Sequence, residues 1–428
     1  MNKLIVPSIL ENSIIRYLIL FLFVFGIPFS FIPVNSSKLI FLFLMILFFL
    51  KKNIRHINKK NFHLVFLLIL ALLATSVLPI IINGTSDINN FYATVVFSTE
   101  AFIGSLFLVY FMYYSRDFKS LLFSIVIISL IQSVIIIVML FSSIVRDFIF
   151  SITLTTGATL FERYDGFRGL GLAASLTYDL AVFLSISLII LSYLFITSYI
   201  NLKKMMVIWI IIFLAICITG RTGLFGACLS ILFLLISNFS SKRHHKRMFF
   251  LITSTFLVFL FLFSFINIFF PEYFHLLDSI FKKYTFEFIF NYSQTGRIET
   301  ESSNILKNMY FPIESHTFFW GDGYWLDPTG DGYYMHTDAG YMRTILYGGF
   351  LNLTCIILIY FTGFWGIYKT YKDKTFRTMI LLIAIVYFSS EIKGDFFLGS
   401  SINIKLFFIL LSYFFLLKNK IIIPRSLS

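Results

Sequence analysis

Apolar runs close to twenty residues long recur along this chain, and they constrain its fold more than any other feature. A hydrocarbon layer about 30 Å thick takes about 20 residues of α-helix to cross. Twelve stretches fit, near 15–33, 38–50, 63–83, 92–114, 120–141, 180–200, 206–220, 222–238, 248–270, 343–367, 377–391 and 402–417. Hydrophobic residues make up 58% of the 428, and charged residues 13%. Soluble chains carry about 25% charged residues, so lipid is the relevant solvent. The expected fold is all-α: one polytopic transmembrane domain over 1–428 with about 12 transmembrane helices.

Lys and Arg set the orientation of such a chain. They gather in alternate connections: Lys51, Lys52, Arg55, Lys59 and Lys60, then Lys203 and Lys204, then 242–247, then Lys369, Lys372, Lys374 and Arg377. The stretch 84–91 between two runs has none. With twelve helices every basic connection falls on one side. That side is expected to be cytoplasmic, with both termini there. The net charge of +13 is then an orientation signal and an attraction to anionic lipid, not a nucleic-acid surface. Cys217, Cys228 and Cys355 sit in apolar stretches without a CxxC or nearby His, so neither a disulfide framework nor a zinc site is expected.

Two outer loops are long, about 142–179 and 271–342, and they hold nearly all the reactive side chains. The first carries Arg163, Asp165 and Arg168 among Gly166, Gly169 and Gly171. Arginines beside glycines can fork onto phosphate oxygens; the same pattern also suits a turn that meets lipid headgroups. Arg221 is the sole charge in the tight turn 219–223, at the outward N-terminus of a helix, where an anion is favoured. A snorkelling arginine looks the same. The late loop carries Arg297 and Glu299, then Trp320, Asp322 and Trp325, then His336, Asp338, Tyr341 and Arg343. Aromatic rings beside Gly and Asp suit a sugar surface, although aromatic belts also mark membrane interfaces. Asp338 also suits a helix cap. Glu100 and Lys405 lie inside apolar runs, where a charge marks either function or a helix-locking pair. HExxH, GxSxG and Walker A patterns are absent, which excludes zinc proteases, α/β-hydrolases and P-loop ATPases.

The order RYDGFRGLG, TGRTGL, TGRIE with GDGY, then HTDAGYMRTILYGGF entering a helix resembles the O-antigen polymerase (Wzy-type) and O-antigen ligase superfamily. In topology the likeness covers nearly the whole chain, and at residue level only these stretches. The chain departs from the polymerase spacing of an arginine and a glycine eleven residues on, since Ala174 and Asp179 stand there.

The resemblance implies a metal-independent glycosyltransferase with no cofactor, in a bacterial inner membrane, with its active site facing the periplasm. Donor and acceptor would be undecaprenyl-diphosphate-linked oligosaccharides, and a chain-length regulator protein is a possible partner. His336 is expected as the catalytic base, by match to the superfamily's late-loop histidine, with Asp338 or Glu299 as substitutes. Arg163, Arg168, Arg221, Arg297 and Arg343 would hold the diphosphate. Asp165, Tyr341, Trp320 and Asp322 would contact sugar. The composition of an AT-rich gene favours a polymerase over a ligase that delivers glycan to lipid A-core. The concentration of polar residues in loops disfavours a flippase.

Overall fold

The computed structural model describes residues 12–50, 59–154, 169–238, 287–297, 300–330 and 332–416. Among them there are helices and no strand. In chain order they are α1 (Ser13–Phe25), α2 (Ser36–Leu50), α3 (Lys59–Asn83), α4 (Asn89–Met112), α5 (Phe118–Phe141), α6 (Ser143–Ile152), α7 (Thr177–Ile196) and α8 (Leu202–Thr219). Then follow α9 (Thr222–Asn238), α10 (Glu287–Thr295), α11 (Glu301–Asn308), α12 (Ser315–Trp320), α13 (Gly340–Thr370), α14 (Lys374–Ser390) and α15 (Ser401–Leu416).

All the apolar stretches expected to be helical fall on such helices except 248–270, which lies outside the described residues. Among the described residues, six helices are long and apolar enough to cross a membrane: α3 over Phe62–Asn83, α4, α5, α7, α8 and α13. α1, α2, α9 over Thr222–Ile236 and α15 are apolar but shorter. The first expected run, 15–33, is helical only to Phe25. Gly26 ends α1 in the left-handed conformation, with its N–H donating to the Leu22 carbonyl. Pro28 and Pro33 then prevent the helix from resuming.

α7 is the hub. Its apolar window is 89% buried, against 28% for α3, so α7 is shielded by protein while α3 offers most of its side chains to the surrounding solvent. α7 packs against α5, α8, α9, α14 and α15. Gly223 and Gly226 of α9 lie so close to Ala181 and Ser185 that a Cβ at either glycine would collide with them. Small residues at such a spacing let helices approach where lipid gives no hydrophobic drive between them. Serines add interhelical bonds, Ser129 to Ser187 at 2.6 Å and Trp209 Nε1 to Ser230 at 3.1 Å. The apolar surface turned outward includes Leu42, Phe49, Leu67, Ile81, Val207 and Phe361. In water that surface would be unfavourable; in hydrocarbon it costs nothing.

Polar contacts gather at one end of the bundle. There the Ala174 amide donates to the Phe25 carbonyl, and the Leu154 amide to the Pro28 carbonyl. The turn after α3 grips the late loop. Asn83 Nδ2 donates to the Gly321 carbonyl at 2.9 Å, Thr85 Oγ1 donates to the Gly323 carbonyl at 3.0 Å, and the Asp87 carboxylate accepts from the Trp325 and Leu326 amides. The late region is therefore a packed cap of short helices. Gly321 and Gly349 both have positive φ, and a Cβ at either would strike backbone of the other's segment. Gly349 breaks α13, so its first turns belong to the cap and the rest runs on as a long apolar helix. At the opposite end lie Lys119, bonded to the Thr197 carbonyl, and Arg116, whose carbonyl accepts from Tyr413.

Glu100 and Lys405 form a helix-locking pair, with Nζ 2.8 Å from Oε1 and both side chains buried. Glu100 lies in a π-helical segment of α4, Phe97–Ile103. Removing one member of a buried pair leaves an uncompensated charge, which costs about 3–5 kcal/mol. Lys405→Met alone is expected to lose stability on that scale, and adding Glu100→Gln is expected to recover most of it. Unfolding titrations in mixed micelles measure both; equal losses in the single and double variants would show that the two side chains are not coupled.

Candidate functional site

α13 begins where the cap meets the bundle, and Arg343 sits one turn in. Its residue exposure is 7%. The guanidinium carbon lies 3.9 Å from the ring centroids of both Trp325 and Tyr333. A guanidinium over an aromatic face gains roughly 0.5–2 kcal/mol, more where water is excluded. Asp395 supplies the opposite charge, with Oδ2 3.7 Å from Nη1. That separation is an ion pair but not a hydrogen bond. Nε and Nη2 of Arg343 have no hydrogen-bond partner among the described residues. Buried donors almost always find partners, so these two N–H groups, buried and unpartnered among the described residues, mark Arg343 as a candidate site residue.

Three carboxyls surround it. Asp395 stands in the connection between α14 and α15, and burial raises its pKa while Arg343 opposes the rise. Burial likewise raises Asp338, again opposed by Arg343. Glu391, at the end of α14, is raised well above the ordinary value, first by burial and next by the charge of Asp395. Its Oε2 accepts from the Phe396 and Phe397 amides at 2.8 and 2.7 Å, and its backbone carbonyl accepts from the Gly340 amide. Tyr178 Oη donates to the Asp395 carbonyl, and Tyr310 Oη to the Ile392 carbonyl. The connection 391–400 is thereby clamped between α7, the cap and α13.

Its far side faces a cavity of about 350 Å³. The walls include Pro28, Thr153, Leu154, the stretch 169–176, Gly399, Ser401 and Asp179. Asp179 opens α7, is 1% exposed, and hydrogen-bonds the Ser400 side chain. Its Oδ1 has no partner among the described residues. The segment 155–168 that leads into this wall, with Arg163, Asp165 and Arg168, lies outside the described residues, as does Glu299.

The other expected residues fall in several places. Arg343 and Asp338 share one cluster. His336 is exposed and follows Met335, both with a φ of 53°. Left-handed backbone at two successive non-glycine residues is strained. His336 lies near Asp327, whose carboxyl is held low first by Thr329 and last by His336. Thr337 Oγ1, not Asp338, accepts from the Ala339 amide at the start of α13.

Arg221 is paired with Glu287 and donates to Ser302 Oγ at 2.9 Å, so it ties the α8–α9 turn to α10 and α11. Arg297 is exposed beside α10. Tyr341 Oη donates to the Phe388 carbonyl, and Asp322 accepts from Thr317 and Tyr334, so both serve the packing of the cap. Trp320 is 45% exposed at the end of α12. Sequence reasoning passed over Trp325, Tyr333, Asp179 and Glu287 as site members. Only Asp179 carried a local signal, a lone acid heading an otherwise apolar run.

No family model, curated protein or solved structure matches this chain.

The raised Glu391 carboxyl gives a pH test. A raised carboxyl favours folding below the unfolded value of 4.5 and loses that contribution as pH climbs through the folded value. Wild-type stability is therefore expected to fall relative to Glu391→Gln as pH rises above 4.5. Thermal unfolding of both proteins across that range measures it, and parallel curves would show that Glu391 does not titrate differently on folding.

Proposed function

We propose that this chain is an O-antigen polymerase that joins undecaprenyl-diphosphate-linked repeat units on the periplasmic face of a bacterial inner membrane. The reading carries with it about twelve membrane crossings, with both termini cytoplasmic. The observation that carries it is Arg343, a buried guanidinium with two open N–H groups at the end of the bundle away from the basic connections.

In this reading the acceptor sugar hydroxyl attacks the anomeric carbon of the donor glycan. The bond from that carbon to the diphosphate oxygen breaks, and undecaprenyl diphosphate leaves with the electron pair. Arg343 meets the charge that builds on the diphosphate, the kind of stabilisation that outweighs other terms in such transfers. The hydroxyl proton passes to a base. Asp338 is favoured, because it shares the Arg343 cluster and burial raises its pKa above the ordinary carboxylate value. His336, two residues back, is the alternative. Arg221 serves by anchoring the cap, and a diphosphate reaching it must displace Glu287. No cofactor takes part in these steps, and membrane lipid and a chain-length regulator are the proposed partners.

Purified protein in lipid, supplied with the lipid-linked repeat unit, is expected to give a ladder of products without lipid A-core. Arg343→Lys retains the charge but not the planar fork, and is expected to slow the ladder by about 10²-fold. A single shifted product that requires lipid A-core would make the chain a ligase. Substrate moved across the bilayer with no covalent product would make it a transporter.

A further inference from the structure

Two unlike side chains flank the 391–400 connection. On one side, Arg343 keeps two buried N–H groups without a partner among the described residues. On the other, Asp179 is the sole ionisable residue among the described residues that wall the cavity.

What the cavity does accept follows from its walls. Its volume of about 350 Å³ lies within the usual range of small-molecule sites, roughly 300–1,000 Å³. Pro28, Leu154, Leu170, Leu172, Ala173 and Ala174 give it apolar surface. Against these stand Asp179 Oδ1, buried and unpartnered among the described residues, and Ser175 Oγ in the same condition. A buried acceptor left unsatisfied is costly. Asp179 is held in place by Ser400 on its other side, and Asn403 Nδ2 bonds both Ser400 Oγ and the Asp179 carbonyl at 2.8 Å. The carboxyl is thus fixed at the cavity wall, with one oxygen unpartnered among the described residues. Walls that mix apolar side chains with hydroxyls and one fixed acceptor match a ring with C–H faces and hydroxyl edges.

We infer that this cavity is a saccharide subsite, in which Asp179 Oδ1 accepts a hydrogen bond from a hydroxyl of an uncharged sugar. The inference rests on the proposed action on a lipid-linked glycan, and assigns its sugar to a space separate from the diphosphate. Asp179 is a binding residue here, one connection away from the reacting arginine. An apolar lipid tail would leave the Asp179 acceptor unpaired.

The test uses the full chain in lipid nanodiscs, with the repeat-unit oligosaccharide freed from its lipid as one probe and inorganic diphosphate as the other. Saturation-transfer NMR reads the oligosaccharide, and calorimetry reads the diphosphate. Asp179→Leu removes the acceptor, and Ala174→Phe fills the cavity without touching Asp179, which keeps the question open if the first variant fails to fold. Each folded variant is expected to lose at least five-fold of the wild-type saccharide signal while diphosphate affinity changes less than two-fold. Unchanged saccharide signal in a folded variant, or none in wild type, would overturn the subsite. Wild-type saccharide binding lost in the variants, in a protein that yields no polymer, would refute the polymerase reading and leave the subsite standing.

Discussion

Backbone amides placed in hydrocarbon have no water to bond, so the chain must close them within helices. That constraint accounts for most of what is seen. It forces long apolar helices. It also explains why two of the charges that stay inside are paired. Glu100 and Lys405 meet at 2.8 Å across α4 and α15, and the serines of α5 and α7 turn towards each other. The cap at one end is held by the same logic. Its turns are not helical, so side chains from neighbouring elements bond their backbone: Asn83, Thr85 and Asp87 for residues 321–326, and Glu391 for 396–397.

Arg16 Nε and Nη1 and Asp179 Oδ1 are buried without a partner among the described residues, and so are two nitrogens of Arg343. At Arg343 two rings and an acid at 3.7 Å position the guanidinium without occupying its Nε and Nη2. Positioning without saturation is what an anion receptor needs, because donors already spent on the protein have nothing to give a ligand. Arg221 shows the contrast. It looked equally exceptional as the sole charge in a tight turn, yet Glu287 and Ser302 engage its two terminal nitrogens.

The helices were legible because their signal is local. Twenty apolar residues in a row read the same wherever they pack, and Gly26 with Pro28 marks the end of α1 within the same few residues. Arg343 and Asp338 were legible for a related reason, standing together at the mouth of a helix. Their surroundings were not. Trp325 and Tyr333 are separated from Asp395 by 60 residues or more, and the loop that joins them to Arg343 is shaped by the contact of Gly321 with Gly349. Nothing in the composition of GDGYW distinguishes a ring that braces an arginine from one that stacks on sugar or sits in a headgroup belt. Asp322 and Tyr341 look like sugar ligands in sequence because carboxylates and phenols serve turns and ligands alike, and only their partners, Thr317, Tyr334 and the Phe388 carbonyl, separate the two uses.

A transfer between two lipid-linked glycans has to keep a diphosphate and a neutral hydroxyl apart until they belong to the same reaction. A single basic pocket would draw the diphosphates of both substrates and leave them competing. The 391–400 connection separates the two demands with one short piece of chain. Asp395 on it balances Arg343, while Gly399 and the Ser400 bond to Asp179 shape the cavity behind. Under the proposed reading, Arg343 before the connection meets the diphosphate and Asp179 behind it meets a sugar hydroxyl, which gives the two groups distinct places without any need for two copies of the same binding motif.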